Sequence, residues 1–94
     1  MKELPLEFAG KGEVRGFVFT QVRKGDNAYI YKVCIDGHVS HYEVFRRMEF
    51  KLYETVSYPK SNQFGKTAYT LKTLNDAEAK FNELNVAREH KAKI

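Results

Sequence analysis

The sequence predicts an α+β domain, an antiparallel three- to four-stranded meander sheet with one C-terminal helix packed on one face. Two runs rich in Val, Phe, Tyr and Ile, at residues 13–23 and 28–35, predict neighbouring strands. The dipeptide Asp36-Gly37 predicts a tight hairpin turn, because a type I′ turn needs positive φ at both central positions. After residue 73 the apolar spacing becomes three or four residues, which predicts a helix.

Length and composition indicate one domain over residues 1–94. With 43% hydrophobic and 30% charged residues, the chain has the composition of a globular domain rather than a disordered one. Its single cysteine, Cys34, excludes an internal disulfide and fits a reducing compartment, so a cytoplasmic protein is expected. The acidic N-terminal segment does not resemble an export signal, and no apolar run reaches the ~20 residues of a membrane span, so no membrane partner is expected.

The first two thirds of the chain divide into an arm, a meander and a loop. Residues 1–12 are predicted to form an N-terminal arm or an edge strand, because Pro5 cannot lie in a central strand. Residues 13–58 contain the predicted meander. Its strands are predicted at 13–23, 28–35 and 38–48, with 49–57 as a candidate fourth strand. A loop is predicted at 58–66, where Pro, Ser, Asn and Gly occur together, and 68–71 could be a short extended segment.

The C-terminal helix is predicted over residues 73–90, with a basic tail at 91–94. Thr73 is the expected N-cap, and Asp76 three residues later completes a capping box. The apolar residues at helical spacing are Leu74, Ala77, Phe81 and Leu84. A helix with so narrow an apolar stripe is not stable alone, so it is expected to lie on the sheet. Phe81 and Leu84 are the expected contacts.

The predicted turns at Gly25-Asp26 and Asp36-Gly37 fix a register, and alternation then divides the strands between two faces. One face is nearly continuous apolar and aromatic surface and is expected to lie under the helix. Its residues are Val18, Thr20, Val22, Tyr29, Tyr31, Val33, Ser40, Tyr42 and Val44. The other face mixes rings with cations. Its residues are Phe17, Phe19, Gln21, Arg23, Ala28, Ile30, Lys32, Cys34, Val39, His41, Glu43 and Phe45, with Arg15 and Arg47 at its ends.

This mixed face predicts a non-enzymatic module that binds DNA or RNA, because bases stack on exposed rings while cations hold phosphates. The predicted nucleic-acid-binding residues are Arg15, Phe17, Phe19, Arg23, Lys32, His41 and Arg47. The balance of 16 Lys plus Arg against 12 Asp plus Glu is compatible with that function. The basic residues between 88 and 94 would add a salt-dependent attraction to any polyanion.

The alternative function is a protein-protein interaction module or a homodimer that uses the same sheet face or the 58–66 loop, and the rings could also be covered. The cover could be the arm, through Leu4, Leu6 and Phe8, or a second copy of the chain. If Phe19 is buried against Phe8 within one chain, the nucleic-acid prediction loses its main support. The 58–66 loop could also contact a partner. Its candidate residues are Tyr58, Lys60, Asn62, Gln63 and Phe64, although the two rings could instead fix the loop to the core.

No catalytic site, metal site or cofactor is predicted, and an enzyme is not expected. Cys34, His38 and His41 could ligate a metal, but alternation places His38 on the face opposite the other two. Cys34 and His41 could act as nucleophile and base, but no carboxylate is evidently placed to orient the histidine.

The runs HYEVFRRMEF, FGKTAYTLKTL and NDAEAKFNEL resemble, in this order, the organisation of the WGR domain. The resemblance covers roughly residues 13–86 and implies a strand, a further strand and a capped helix, with the DNA-end recognition of poly(ADP-ribose) polymerases. Phe45, Arg46 and Arg47 stand where that family has Trp-Gly-Arg. The chain also resembles small uncharacterised proteins of gut bacteria and their mobile elements through its YEVF, YPKSN and FNEL segments, a likeness that implies no activity.

Overall fold

The computed structural model describes residues 1–86 and confirms the α+β fold, an antiparallel sheet with a C-terminal helix packed on it. Its strands are β1 (Glu7–Ala9), β2 (Phe17–Lys24), β3 (Ala28–Ile35), β4 (His38–Arg46), β5 (Met48–Phe50), β6 (Thr55–Ser57) and β7 (Ala68–Leu71), and its helix is α1 (Leu74–Leu84). Five strands form one sheet in the order β1-β2-β3-β4-β7. The sheet exceeds the predicted meander because the arm and the segment after the loop each add an edge strand.

The candidate fourth strand at 49–57 is instead a separate two-stranded hairpin of β5 and β6. Residues 51–54 turn the chain, and Glu54 adopts a φ of 51°. At the start of the predicted meander, Gly12–Val14 form a short 3-10 helix, so β2 begins only at Phe17. These breaks arise from turns that interrupt runs of strand-forming residues.

Two β-bulges place β3 on the opposite faces from those predicted. Gln21 pairs with Tyr31 while Arg23 pairs with Ile30, so Val22 is the extra residue in β2. Val33 pairs with His41 while Cys34 pairs with Val39, so Ser40 is the extra residue in β4. A one-residue shift moves side chains to the other face.

The face prediction was therefore wrong for β3 and right for much of its neighbours. The buried rings of β3 lie on the same side as Phe19 and Phe45, in one cluster with Val33. The residues of β3 that were predicted among the cations, Ala28 and Ile30, pack under the helix instead. We call the first side the arm face and the second the helix face.

The arm covers the arm face, which is one of the two covers considered for its rings. Phe8 pairs with Phe19 in the β1–β2 ladder, and Leu4 and Phe8 pack against the buried cluster. Leu6 does not belong to the cover, because 74% of it is exposed. The buried cluster is therefore closed by the chain's own N-terminus.

The helix face holds a smaller core of Ala28, Ile30 and Val44 against the helix. Its helical partners are Ala77, Phe81 and Leu84. The Asp76 N–H donates to Thr73 Oγ1 at 3.1 Å, which confirms the predicted N-cap.

Within the described residues, the helix ends at Leu84. The Arg46 guanidinium donates to the Leu84 carbonyl at 2.7 Å, and Asn85 Oδ1 accepts from the Asn27 N–H at 2.7 Å. These contacts bind the helix end to the sheet. Residues 87–94, which include the predicted end of the helix and the basic tail, lie outside the described residues.

Candidate functional site

The aromatic surface predicted to bind bases is part of the core. Phe19 is only 7% exposed, and its ring stacks on Phe8 with 4.8 Å between centroids and 2° between planes. Phe17 is half-buried and packs against the same cluster. The prediction that these rings face a ligand was wrong for Phe19, because the arm pairs with β2 directly over it.

The predicted cations do not converge on one surface. Arg23 lies on the helix face, where its guanidinium sits 4.4 Å from the centre of the Phe81 ring and pairs with Glu78. Lys32 pairs with Tyr42 and shares the helix face. Arg15 is exposed and lies before β2 begins.

Arg47 is occupied by carboxylates. Its Nη2 lies 2.8 Å from Glu3 Oε2, and its Nε lies 2.7 Å from Glu49 Oε2. Its Nη1 also donates to Tyr29 Oη at 2.8 Å. The bonds from Arg47, and then from Tyr29, lower the pKa of Glu3 from 4.5 to about 2. The guanidinium of Arg47 therefore binds a carboxylate of the arm instead of being free to bind a phosphate.

The 58–66 loop divides into two partly buried rings and an exposed turn. Tyr58 lies among the rings of the arm face, 4.7 Å from Phe45 and 5.4 Å from Phe8 between centroids. Phe64 also packs against this cluster. Lys60 and Asn62 are exposed, whereas Gln63 is half-buried and accepts from the Thr67 hydroxyl at 2.8 Å. The rings thus fix the loop, and the turn between them remains accessible.

An open apolar groove of about 610 Å³ lies between the arm and this loop. The arm side is formed by Phe8, Ala9, Gly10, Lys11 and Val14. The loop side is formed by Tyr58, Pro59, Ser61 and Phe64, and the sheet contributes Phe19 and Glu43. A volume of this size can hold several apolar side chains or a small molecule.

Gly10 allows the arm to turn back beside the groove. A side chain at this position would collide with the carbonyl oxygen and a methyl group of Val14. Val14 is therefore held close to the end of β1, where it lines the groove. Sequence reasoning missed this site, although Gly10-Lys11-Gly12 signals a turn of the arm.

A chain of hydrogen bonds supports Glu43 at the groove. Tyr58 donates its hydroxyl to Glu43 Oε1, and His41 Nε2 lies 3.1 Å from Glu43 Oε2. Ser40 Oγ lies 2.9 Å from the other ring nitrogen of His41. Burial, and then the charge of Glu43, raise the pKa of Tyr58, so this phenol remains a donor.

These hydrogen bonds correct the expectation that no carboxylate is placed to orient His41. A carboxylate does contact the imidazole, namely Glu43, which was predicted on the same face as His41 but not as its partner. Cys34 pairs with Val39, beyond the Ser40 bulge, so it lies on the face opposite His41 and cannot act with it. His38, paired with Ile35, shares the side of His41 and not that of Cys34.

Comparison with known proteins gives no relative: no protein-family model, curated protein or solved structure matches the chain significantly. Within residues 1–86, His, Cys, Asp and Glu form no group of three that could hold a metal ion. No helix in this part of the chain is long and apolar enough to cross a membrane.

Proposed function

We propose that the protein is an interaction module that holds an extended segment of a partner protein in the groove between the arm and the 58–66 loop. The open apolar groove carries the proposal, because exposed apolar concavities of this kind mark binding sites. Its neighbours are the arm and the 58–66 loop, and the sequence analysis named that loop as a candidate contact for a protein partner.

The arm also offers backbone groups to an extended segment. Gln21 N–H donates to the Leu6 carbonyl at 2.7 Å, and Gly10 N–H donates to the Phe17 carbonyl at 2.8 Å. Because hydrogen-bonding direction alternates along a strand, the N–H and C=O of Ala9 point away from β2. Ala9 lines the groove, so an added strand could bond to this edge while its side chains enter the groove.

Nucleic-acid binding has weaker support. Its surface needed exposed rings beside free cations, but Phe19 is buried and Arg47 is paired with carboxylates. The remaining exposed cations favour at most a salt-sensitive attraction to polyanions.

A selection from a displayed library of random peptides tests the proposal. We expect selected peptides to perturb backbone amide resonances of the arm and the loop in the labelled protein. We expect Val14→Asp to weaken their binding by at least about tenfold, because it buries an unpaired charge under the peptide. Val14 is 37% exposed, so this variant should still fold.

Val39→Asp is the matched control, because Val39 is 51% exposed and lies on the opposite face of the sheet. A fluorescently labelled single-stranded DNA is titrated with the protein in parallel, at near-physiological salt. Peptides that bind the Val14 variant as well as the wild type would overturn the proposal. A labelled strand whose tight binding is lost in the Val14 variant would also overturn it, in favour of a nucleic-acid module.

A further inference from the structure

The carboxylate of Glu43 gives the groove a chemical preference. Its side chain is 14% exposed, yet it lines the groove together with the rings of Phe8, Phe19, Tyr58 and Phe64. Burying a carboxylate costs free energy unless an opposite charge or hydrogen bonds compensate. The nature of that compensation decides which ligand the groove favours.

The two contacts of Glu43 satisfy its oxygens without supplying a Lys or Arg charge. One contact comes from the Tyr58 phenol, and the other comes from the His41 imidazole, whose second nitrogen contacts Ser40. Among residues 1–86, no Lys or Arg lies within ion-pair distance of the Glu43 carboxylate. Other carboxylates of this part of the chain do have such a partner, for example Glu3 and Glu78.

The aromatic walls favour the same sign of charge. The faces of aromatic rings carry partial negative charge and attract cations, most strongly where water is excluded. Phe8 stacks flat on Phe19, and Tyr58 meets the Phe8 ring nearly edge-on, at 78°. These three rings and that of Phe64 line the groove together with Glu43.

We infer that the groove receives a lysine side chain of the partner segment, in its free or methylated form, with the alkyl chain on the apolar walls and the ammonium group facing Glu43. This inference rests on the proposed function and adds the chemistry of the occupant. An alkylammonium group suits the groove because its stem is apolar and its head is cationic.

Three pentapeptides test the inference. They are acetylated and amidated peptides of sequence Ala-Ala-X-Ala-Ala, in which X is lysine, trimethyllysine or norleucine. Norleucine keeps the alkyl stem without the charge. We expect the two cationic peptides to bind at least about fivefold more tightly than the norleucine peptide, as judged by amide titration in the labelled protein.

Two variants assign the preference to its cause. We expect Glu43→Gln to abolish the difference between lysine and norleucine, whereas Glu83→Gln, on the exposed side of the helix, should preserve it. Lys11→Met removes a cation from the groove lining, so it should strengthen lysine binding more than norleucine binding. If Glu43→Gln fails to fold, the Lys11 variant and the wild-type comparison still decide.

The outcomes separate the inference from the proposed function. Norleucine binding in the groove as tightly as lysine would overturn the lysine inference and leave the interaction module standing. Failure of all three peptides to perturb groove residues, together with failure of the peptide selection, would overturn both. Binding to phosphatidylcholine vesicles without peptide binding would also overturn the inference, because it would assign the cation to a lipid headgroup.

Discussion

Phe19 is a buried ring of the arm face that contacts both the arm and the 58–66 loop. It is 7% exposed, stacks on Phe8 and meets Tyr58 at 5.7 Å between centroids. Rings in this arrangement add to stability beyond their buried area, by roughly 0.5–1.5 kcal/mol for each pair. Its side chain therefore belongs to the core, and its removal should affect folding before binding.

We expect Phe19→Ala to lower the free energy of unfolding by about 3–5 kcal/mol, because it leaves a cavity among rings that cannot fully collapse. Urea denaturation followed by tyrosine fluorescence measures this loss. Phe50→Ala is the matched control, since Phe50 is 48% exposed on the β5–β6 hairpin and should cost far less. Equal stability of the two variants would contradict the burial of Phe19.

Among the helices, strands and turns, the features that depend on short-range sequence signals were predicted correctly. The helix start at Thr73 was predictable because a cap and its partner are three residues apart. The Asp36-Gly37 turn was predictable because aspartate and glycine tolerate the positive φ that a type I′ turn needs. Both residues adopt it, at 53° and 80°. These features depend on a few consecutive residues, so a single sequence contains their cause.

The faces of β3 could not be predicted in this way. Val22 and Ser40 are ordinary strand residues, and nothing in their local sequence indicates that each is left out of the pairing. The bulges satisfy a tertiary demand, because they bring the rings of β2 and β4 to the side where β3 has Tyr29 and Tyr31. Because β2 and β4 each contain a bulge, alternation of side chains from the turns assigns the residues of β3 to the wrong face of the sheet.

Gly10 provides a test at the scale of the arm. We expect Gly10→Ala to displace Val14 and the short 3-10 helix, because the new methyl group would collide with backbone atoms of Val14. The cost should be about 1–3 kcal/mol, the usual effect of overpacking, together with weaker binding of groove peptides. Leu6→Ala, in the same arm, changes a side chain that is 74% exposed and does not line the groove, and it serves as the control. Wild-type stability and binding in Gly10→Ala would contradict this account.

At the scale of the whole molecule, the groove exists only where three distant segments meet. The arm and the 3-10 helix after it supply Phe8 and Val14, the loop supplies Pro59 and Phe64, and the sheet supplies Glu43. Sequence reasoning identified the loop and the possible cover by the arm, but it placed the function on the sheet face between them. Because no local pattern encodes the distance between arm and loop, the groove could not be predicted.

The contact between Glu3 and Arg47 joins the N-terminus to the body, and we expect acid to weaken it. Bonds from Arg47 and Tyr29 lower the pKa of Glu3 from 4.5 to about 2 in the folded protein. A lowered pKa contributes stability above the unfolded value, and that contribution is lost as pH falls from about 4.5 towards 2.

Denaturation at a series of pH values checks this expectation. Between pH 4.5 and 2 the free energy of unfolding should fall more steeply for the wild type than for Glu3→Gln. Glu13→Gln, another exposed carboxylate of the N-terminal segment, should retain the wild-type slope. Parallel curves for the wild type and Glu3→Gln would show that the contact does not stabilise the fold.

The attachment of the first residues also constrains the order of events during protein synthesis. The Lys2 N–H donates to the Glu54 carbonyl at 2.7 Å, and the Val56 N–H donates to the Lys2 carbonyl at 2.8 Å. These bonds cannot form until residue 56 has left the ribosome, well after Lys2 has emerged. The arm therefore stays unattached at this point while the aromatic strands that it covers are still being synthesised. During that period the apolar surface of these strands is exposed to aggregation and to chaperones.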